Sequence, residues 1–103
     1  MQWPTPYVAV IFSTRRSADL VGYSEMAARM EELAAEQPGY LGIESISDGH
    51  RGLTVSYWQD EEASLAWRAI AEHVVAQRLG RERWYDEYDL RVATVPRAPH
   101  SPY

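Results

Sequence analysis

Tyr7-Val8-Ala9-Val10-Ile11-Phe12 is a run of β-branched and aromatic residues that is apolar on both parities. Such a run predicts a central strand covered on both faces. Downstream, the polar Ser13-Thr14-Arg15-Arg16-Ser17 reads as a loop, and Asp19 sits near a helix start. Tyr23, Met26, Ala27, Met30, Leu33 and Ala34 then share one helical face, with Glu31, Glu32 and Glu36 opposite and Pro38-Gly39 as the stop. Tyr40 to Ser47 is a second strand. Ser47-Asp48-Gly49-His50-Arg51-Gly52 is turn chemistry, which pairs that strand antiparallel with Leu53 to Trp58 as a hairpin. In the hairpin's second arm, Leu53, Val55 and Tyr57 share one face while Thr54, Ser56 and Trp58 take the other. Asp60 caps a second helix, with Glu61 and Glu62 in its first turn, running towards Gly80 as a natural residue after the last turn. Tyr88, Leu90, Val92 and Thr94 alternate with Asp89, Arg91, Ala93 and Val95 in a last strand. Pro96, Pro99 and Pro102 predict an extended tail over 96–103.

The order is βαββαβ in one unit of 103 residues, with its core over about 7–95. It predicts an α+β, ferredoxin-like domain: a four-stranded antiparallel sheet with both helices on one face. The other sheet face is then bare in a monomer. One row of the first strand, either Val8, Val10 and Phe12 or Tyr7, Ala9 and Ile11, would meet water. A contiguous apolar sheet face is normally buried by a partner, so a two-fold homodimer with its sheets face to face is expected.

Composition narrows the chemistry. Hydrophobic residues are 46% and charged residues 24%, a globular balance, and the formal charge of −5 argues against nucleic acid or an anionic membrane as partner. No cysteine is present, which removes disulfides and thiolate chemistry. All 10 basic residues are Arg, so no lysine can form a Schiff base, and the chain has no Asn. The opening residues lack a basic leader pattern, no apolar run approaches a bilayer span, and a cytoplasmic protein is expected.

Seven Tyr and four Trp against one Phe favour aromatic residues with a polar handle, suited to an interface or to a pocket for a flat ligand. Tyr57, Trp58 and Trp67 form one concentration, and Trp84, Tyr85 and Tyr88 another. His73 is the one histidine on a predicted regular element, near Trp67, Ile70 and Val74 in helical spacing, and is the candidate general base. Its plainer reading is a half-exposed histidine near a helix end. With His50 in a turn and His100 in the tail, no metal-site spacing exists. Glu44, in the middle of the second strand, reads either as a base in an enclosed space or as one half of an interface ion pair, with Arg91 as a candidate partner.

Together, Tyr7-Val-Ala-Val-Ile-Phe-Ser, Gln37-Pro-Gly-Tyr-Leu-Gly-Ile-Glu-Ser, Val55-Ser-Tyr-Trp-Gln, Trp67 with His73, and Gly80-Arg-Glu-Arg-Trp-Tyr resemble the antibiotic biosynthesis monooxygenase family. The resemblance implies ferredoxin-like subunits joined as a dimeric α+β barrel. The family it resembles includes cofactor-free oxygenases of polyketide phenols, quinol oxygenases, haem-degrading oxygenases and many small proteins of unknown activity. Trp67 looks like the tryptophan that lines the family's pocket, and His73 like its helix histidine. Gln77 stands where the haem-degrading branch places its iron ligand, and the Asn that branch uses is missing. The polyketide branch often uses an Asn donor as well, which a Tyr, Ser or Arg must replace here. The expectation is therefore a small cofactor-independent monooxygenase acting with O₂ on an electron-rich phenol, quinol or enol. Its catalytic pair would be His73 and Trp67, and Tyr57, Trp58, Trp84, Met26 and Met30 would line the pocket, with no metal. A haem-binding or haem-degrading protein, with His73 reaching the iron, and a non-catalytic ligand-binding module of the same fold are the alternatives.

Overall fold

A computed structural model of the chain describes residues 3–15, 23–48, 50–82 and 87–99. Six elements follow in the expected order: β1 (Tyr7–Arg15), α1 (Tyr23–Ala35), β2 (Tyr40–Ser47), β3 (Arg51–Trp58), α2 (Glu61–Glu82) and β4 (Glu87–Val95). The strands form one antiparallel sheet in the order β2-β3-β1-β4, which is the ferredoxin-like arrangement. The segments at 16–22 and 83–86, and so Asp19, Trp84 and Tyr85, lie outside the described residues.

β1 is central because it is apolar on both sides, and its two rows part ways. Val8, Val10 and Phe12 are buried in the core with Met26, Met30 and Ala34 of α1, Trp58 of β3, and Trp67 and Ala71 of α2. The 26, 30, 34 spacing makes the buried stripe of α1, while Glu25, Arg29 and Glu32 stay in water. Ser64, Trp67 and Ala71 make the corresponding stripe of α2. Thr54 and Ser56 are buried on the same side of β3 as Trp58. The opposite face carries Tyr7 and Ile11 of β1, Leu53, Val55 and Tyr57 of β3, and Ile46 of β2, with Ile46 69% and Leu53 39% exposed.

The connections follow local chemistry. Gly39 leaves α1 with φ +82°, and a Cβ there would lie 2.6 Å from that of Ala63, so the turn and the start of α2 are in close contact. Asp60 caps α2: its Oδ1 accepts the Ala63 amide at 2.8 Å. Asp48 closes the β2–β3 turn, accepting the amides of His50 (3.0 Å) and Arg51 (2.7 Å) and pairing with the Arg51 side chain at 3.0 Å. These amides, first Arg51's and then His50's, hold its carboxyl down at about 2.

Three expectations change. β1 runs on through Ser13 and Thr14 to Arg15 instead of giving way to a loop, because these residues pair with β3 on one side and β4 on the other, and Thr14 is buried. α2 continues through Gly80 to Glu82, because a single glycine costs a helix only about 1 kcal/mol relative to alanine. Glu44 and Arg91 sit on the two edge strands, β2 and β4, so they cannot pair within one chain. Arg91 instead pairs with Asp89 at 3.6 Å, and Glu44 accepts a hydrogen bond from Tyr57. No helix among the described residues is long and apolar enough to cross a membrane.

Candidate functional site

The short Gln59-Asp60 link between β3 and α2 folds the last residue of the strand against the second turn of the helix. That places the Trp58 and Trp67 rings in a stack, with centroids 5.6 Å apart and planes 25° from parallel. Tyr40 meets Trp58 edge-on at 5.8 Å. Trp58 has no exposed surface and Trp67 only 2%. A buried indole N–H needs an acceptor, and Trp58 Nε1 donates to Ser56 Oγ at 2.9 Å. The two residues are neighbours on one face of β3 by strand alternation.

Beside this stack, between α2 and the sheet, lies a void of about 10 Å³. Val10, Phe12, Met30, Thr54, Ser56, Trp67, Ala71 and Leu90 line it. A volume of this size accommodates about one water-sized molecule. Apart from the Thr54 and Ser56 hydroxyls, the side chains of this lining are apolar or aromatic, and none of them titrates near neutrality.

Of the residues singled out from the sequence, Trp58, Trp67, Met26 and Met30 meet in this one core. His73 does not join them. Six residues advance a helix by about 600°, so His73 lies some 120° around α2 from Trp67. The consequence is plain in the structure: Trp67 is buried and His73 is exposed. The imidazole is therefore not a base poised over the void, and it offers no axial ligand to a haem placed there. Tyr57 also belongs elsewhere, because strand alternation sends it to the face opposite Trp58. Trp84 lies outside the described residues. Ser56 and Thr54 were missed as site residues, although their shared parity with Trp58 was visible in the alternation of β3. Among the described residues no three His, Asp or Glu side chains gather closely enough to hold a metal ion.

The second aromatic group is on the open sheet face. Trp3 lies across Gly42, where a Cβ would come within 2.9 Å of the indole. Its ring is 5.3 Å from Tyr7 and 4.9 Å from Tyr57. Tyr57 donates its hydroxyl to Glu44 Oε1 at 2.6 Å. Burial, then the hydrogen bond to the Glu44 carboxylate and its charge, push the Tyr57 phenol up to about 12. An open hollow of about 550 Å³ adjoins this cluster, and another of about 520 Å³ lies at the far end of the face, around Arg15, Ile46, Leu53 and Asp89.

A ferredoxin-like sheet with two tryptophans stacked at its seam with α2 defines a class of small α+β domains, and comparison with known proteins specifies the family. The sequence profile of antibiotic biosynthesis monooxygenases matches residues 7–79, and the chain belongs to that family. It is 52% identical over 94 residues to the uncharacterized protein YqjZ of Bacillus subtilis, covering 89% of this chain and 82% of that one. It is 33% identical over 91 residues to the jasmonate monooxygenase ABM of Pyricularia oryzae, covering 84% of this chain but 42% of the fungal protein, so it spans less than half of that relative. In three dimensions it resembles the N63A mutant of SnoaB, a cofactor-independent oxygenase from Streptomyces nogalater, with a TM-score of 0.68 and 15% identity. That match covers 95% of this chain and 98% of the other.

Proposed function

We propose that this protein is a cofactor-independent monooxygenase whose substrate is an electron-rich phenol, quinol or enol, working as a homodimer. The observation that carries the reading is the stacked Trp58–Trp67 pair beside a void that contains hydroxyl groups and is otherwise apolar or aromatic. A flat indole wall orients an aromatic guest, and a dry lining keeps a reactive anion from water. The reaction needs no reductant beyond the substrate. The ionised phenol or enol passes one electron to O₂, and the radical pair combines into a C–O bond as a hydroperoxide. Loss of water from a C–H-bearing carbon then leaves a carbonyl, with one oxygen atom in the product and the other in water. The described lining of the void holds no base, so the suitable substrates are acidic ones that give up their proton to solvent before they enter. A ring does not fit the void as it stands. Met30, with three rotatable side-chain bonds, is the lining residue best able to yield to it.

The test is O₂ uptake with anthrone-type and quinol substrates. Trp67→Ala is expected to lower kcat/KM by about 10- to 100-fold through lost positioning. His73→Ala, removing an exposed imidazole, should stay within about twofold of the parent, as surface changes away from a site do. A large loss in His73→Ala would restore the histidine as the base and overturn this arrangement.

The smallness of the void favours a second reading, a ligand-binding module of the same fold that turns nothing over. It predicts that none of these substrates causes O₂ to be consumed.

A further inference from the structure

Trp58 can only donate through its indole N–H, so the direction of the Trp58–Ser56 hydrogen bond is settled: Ser56 Oγ is the acceptor. A serine hydroxyl has one proton to give as well as lone pairs to offer. That proton is not spent on Trp58, and among the described residues Ser56 Oγ has no other hydrogen-bond partner. Ser56 is 1% exposed, so bulk water does not take it either. What Ser56 does line is the void beside Trp67, where its lining companions are Val10, Phe12, Met30, Ala71, Leu90, Trp67 and Thr54. Thr54 already exchanges a hydrogen bond with Ser45 at 2.9 Å. The void has room for about one water, which can take this proton, and a guest that displaces that water must bring an oxygen of its own, because a buried O–H without an acceptor is costly.

We infer that Ser56 is the hydrogen-bond donor that receives the oxygen atom of a hydroxyarene or enol guest beside Trp67, with Trp58 as the positioning residue that orients it. The inference rests on the phenol-binding reading above and adds the residue that recognises the oxygen. A guest that arrives as an anion gains most, because charge-assisted hydrogen bonds are about twice as strong as neutral ones. An indole donating to one lone pair narrows the rotation of the hydroxyl, so the proton is held ready for the guest.

The experiment compares phenol with toluene, which replaces the hydroxyl by a methyl group of similar size, by calorimetric titration of the full chain. The parent is expected to prefer phenol by about tenfold. In Ser56→Ala that preference should fall close to one, with toluene binding unchanged, while Ser56→Thr keeps it. Ser56→Cys, nearly isosteric and a weak donor, supplies the same readout should the alanine variant fail to fold. In Trp58→Phe the hydroxyl remains but is free to turn, and the preference should drop to between those of the parent and Ser56→Ala. A preference for phenol that survives both Ser56→Ala and Ser56→Cys overturns the assignment and leaves the phenol-binding reading standing. Equal binding of both probes by the parent, as when a trapped water takes the Ser56 proton, also overturns it. If the parent binds neither, the phenol-binding reading and the Ser56 assignment fall together.

Discussion

Tyr57 and Trp58 are adjacent in the chain and do opposite work. Trp58 faces the helices and is wholly buried, whereas Tyr57 looks out from the sheet and gives its hydroxyl to Glu44. The Tyr57 phenol, raised to about 12 from its ordinary 10.0, favours the folded state while it stays neutral. That contribution is complete below pH 10 and is lost as pH rises from 10 through 12. An ultraviolet absorbance titration should show a late component near pH 12 that is absent in Tyr57→Phe and shifted towards 10 in Glu44→Gln. The fall of stability over this window should be shallower in Tyr57→Phe. The same scale explains why His73 misled: an approximate neighbourhood of Trp67 in sequence is not a shared helical face, since six residues make about one and two-thirds turns and fall short of two. Met26 and Met30 were legible because spacings of three and four keep to one face, whereas Trp67 was singled out by the clustering of aromatic residues and by the family resemblance.

Local signals set the starts of the elements better than their ends. The Asp60 cap was readable because a short carboxylate before two glutamates has one obvious use, the orphan amides of the first turn. Asp60→Ala should lower stability by about 1 kcal/mol in urea unfolding, with no change in slope. Gly39→Ala should cost more. Its left-handed backbone is worth about 1–3 kcal/mol against a side chain. The new Cβ would also press on Ala63, so α2 must shift at the point that sets the Trp58–Trp67 stack. The end of α2 was not legible. Gly80 has the composition of a stop, yet the hydrogen bonds of a long helix outweigh its propensity.

The arrangement of the sheet turns an apolar row away from the helices: half-buried Tyr7, Ile11 and Val55, with Leu53 and above all Ile46 exposed. A second copy placed sheet to sheet would bury this row, and an interface of standard size takes roughly 800 Å² from each partner. Light scattering at micromolar concentration should return twice the chain mass of 11.8 kDa. Ile46→Glu combined with Leu53→Glu should weaken association by about a hundredfold or more, since both copies then oppose like charges. A monomeric parent protein would remove the dimer from the proposed function.

Sequence order alone determined the six elements, their antiparallel hairpin and the division of each strand into two rows, because apolar periodicity is a one-dimensional property of the chain. Alternation cannot say which row the helices will cover. On β3 the more polar row, Thr54 and Ser56 with Trp58, went inside while Leu53 and Val55 went out. Small hydroxyl side chains leave room for Trp67 and Met30 to pack over the sheet, and the helices were placed by that fit. Tertiary packing likewise separated Glu44 from Arg91, turned His73 to water and gave Trp58 its acceptor in Ser56. Each of these depends on which elements become neighbours in space, which no spacing within a single element encodes.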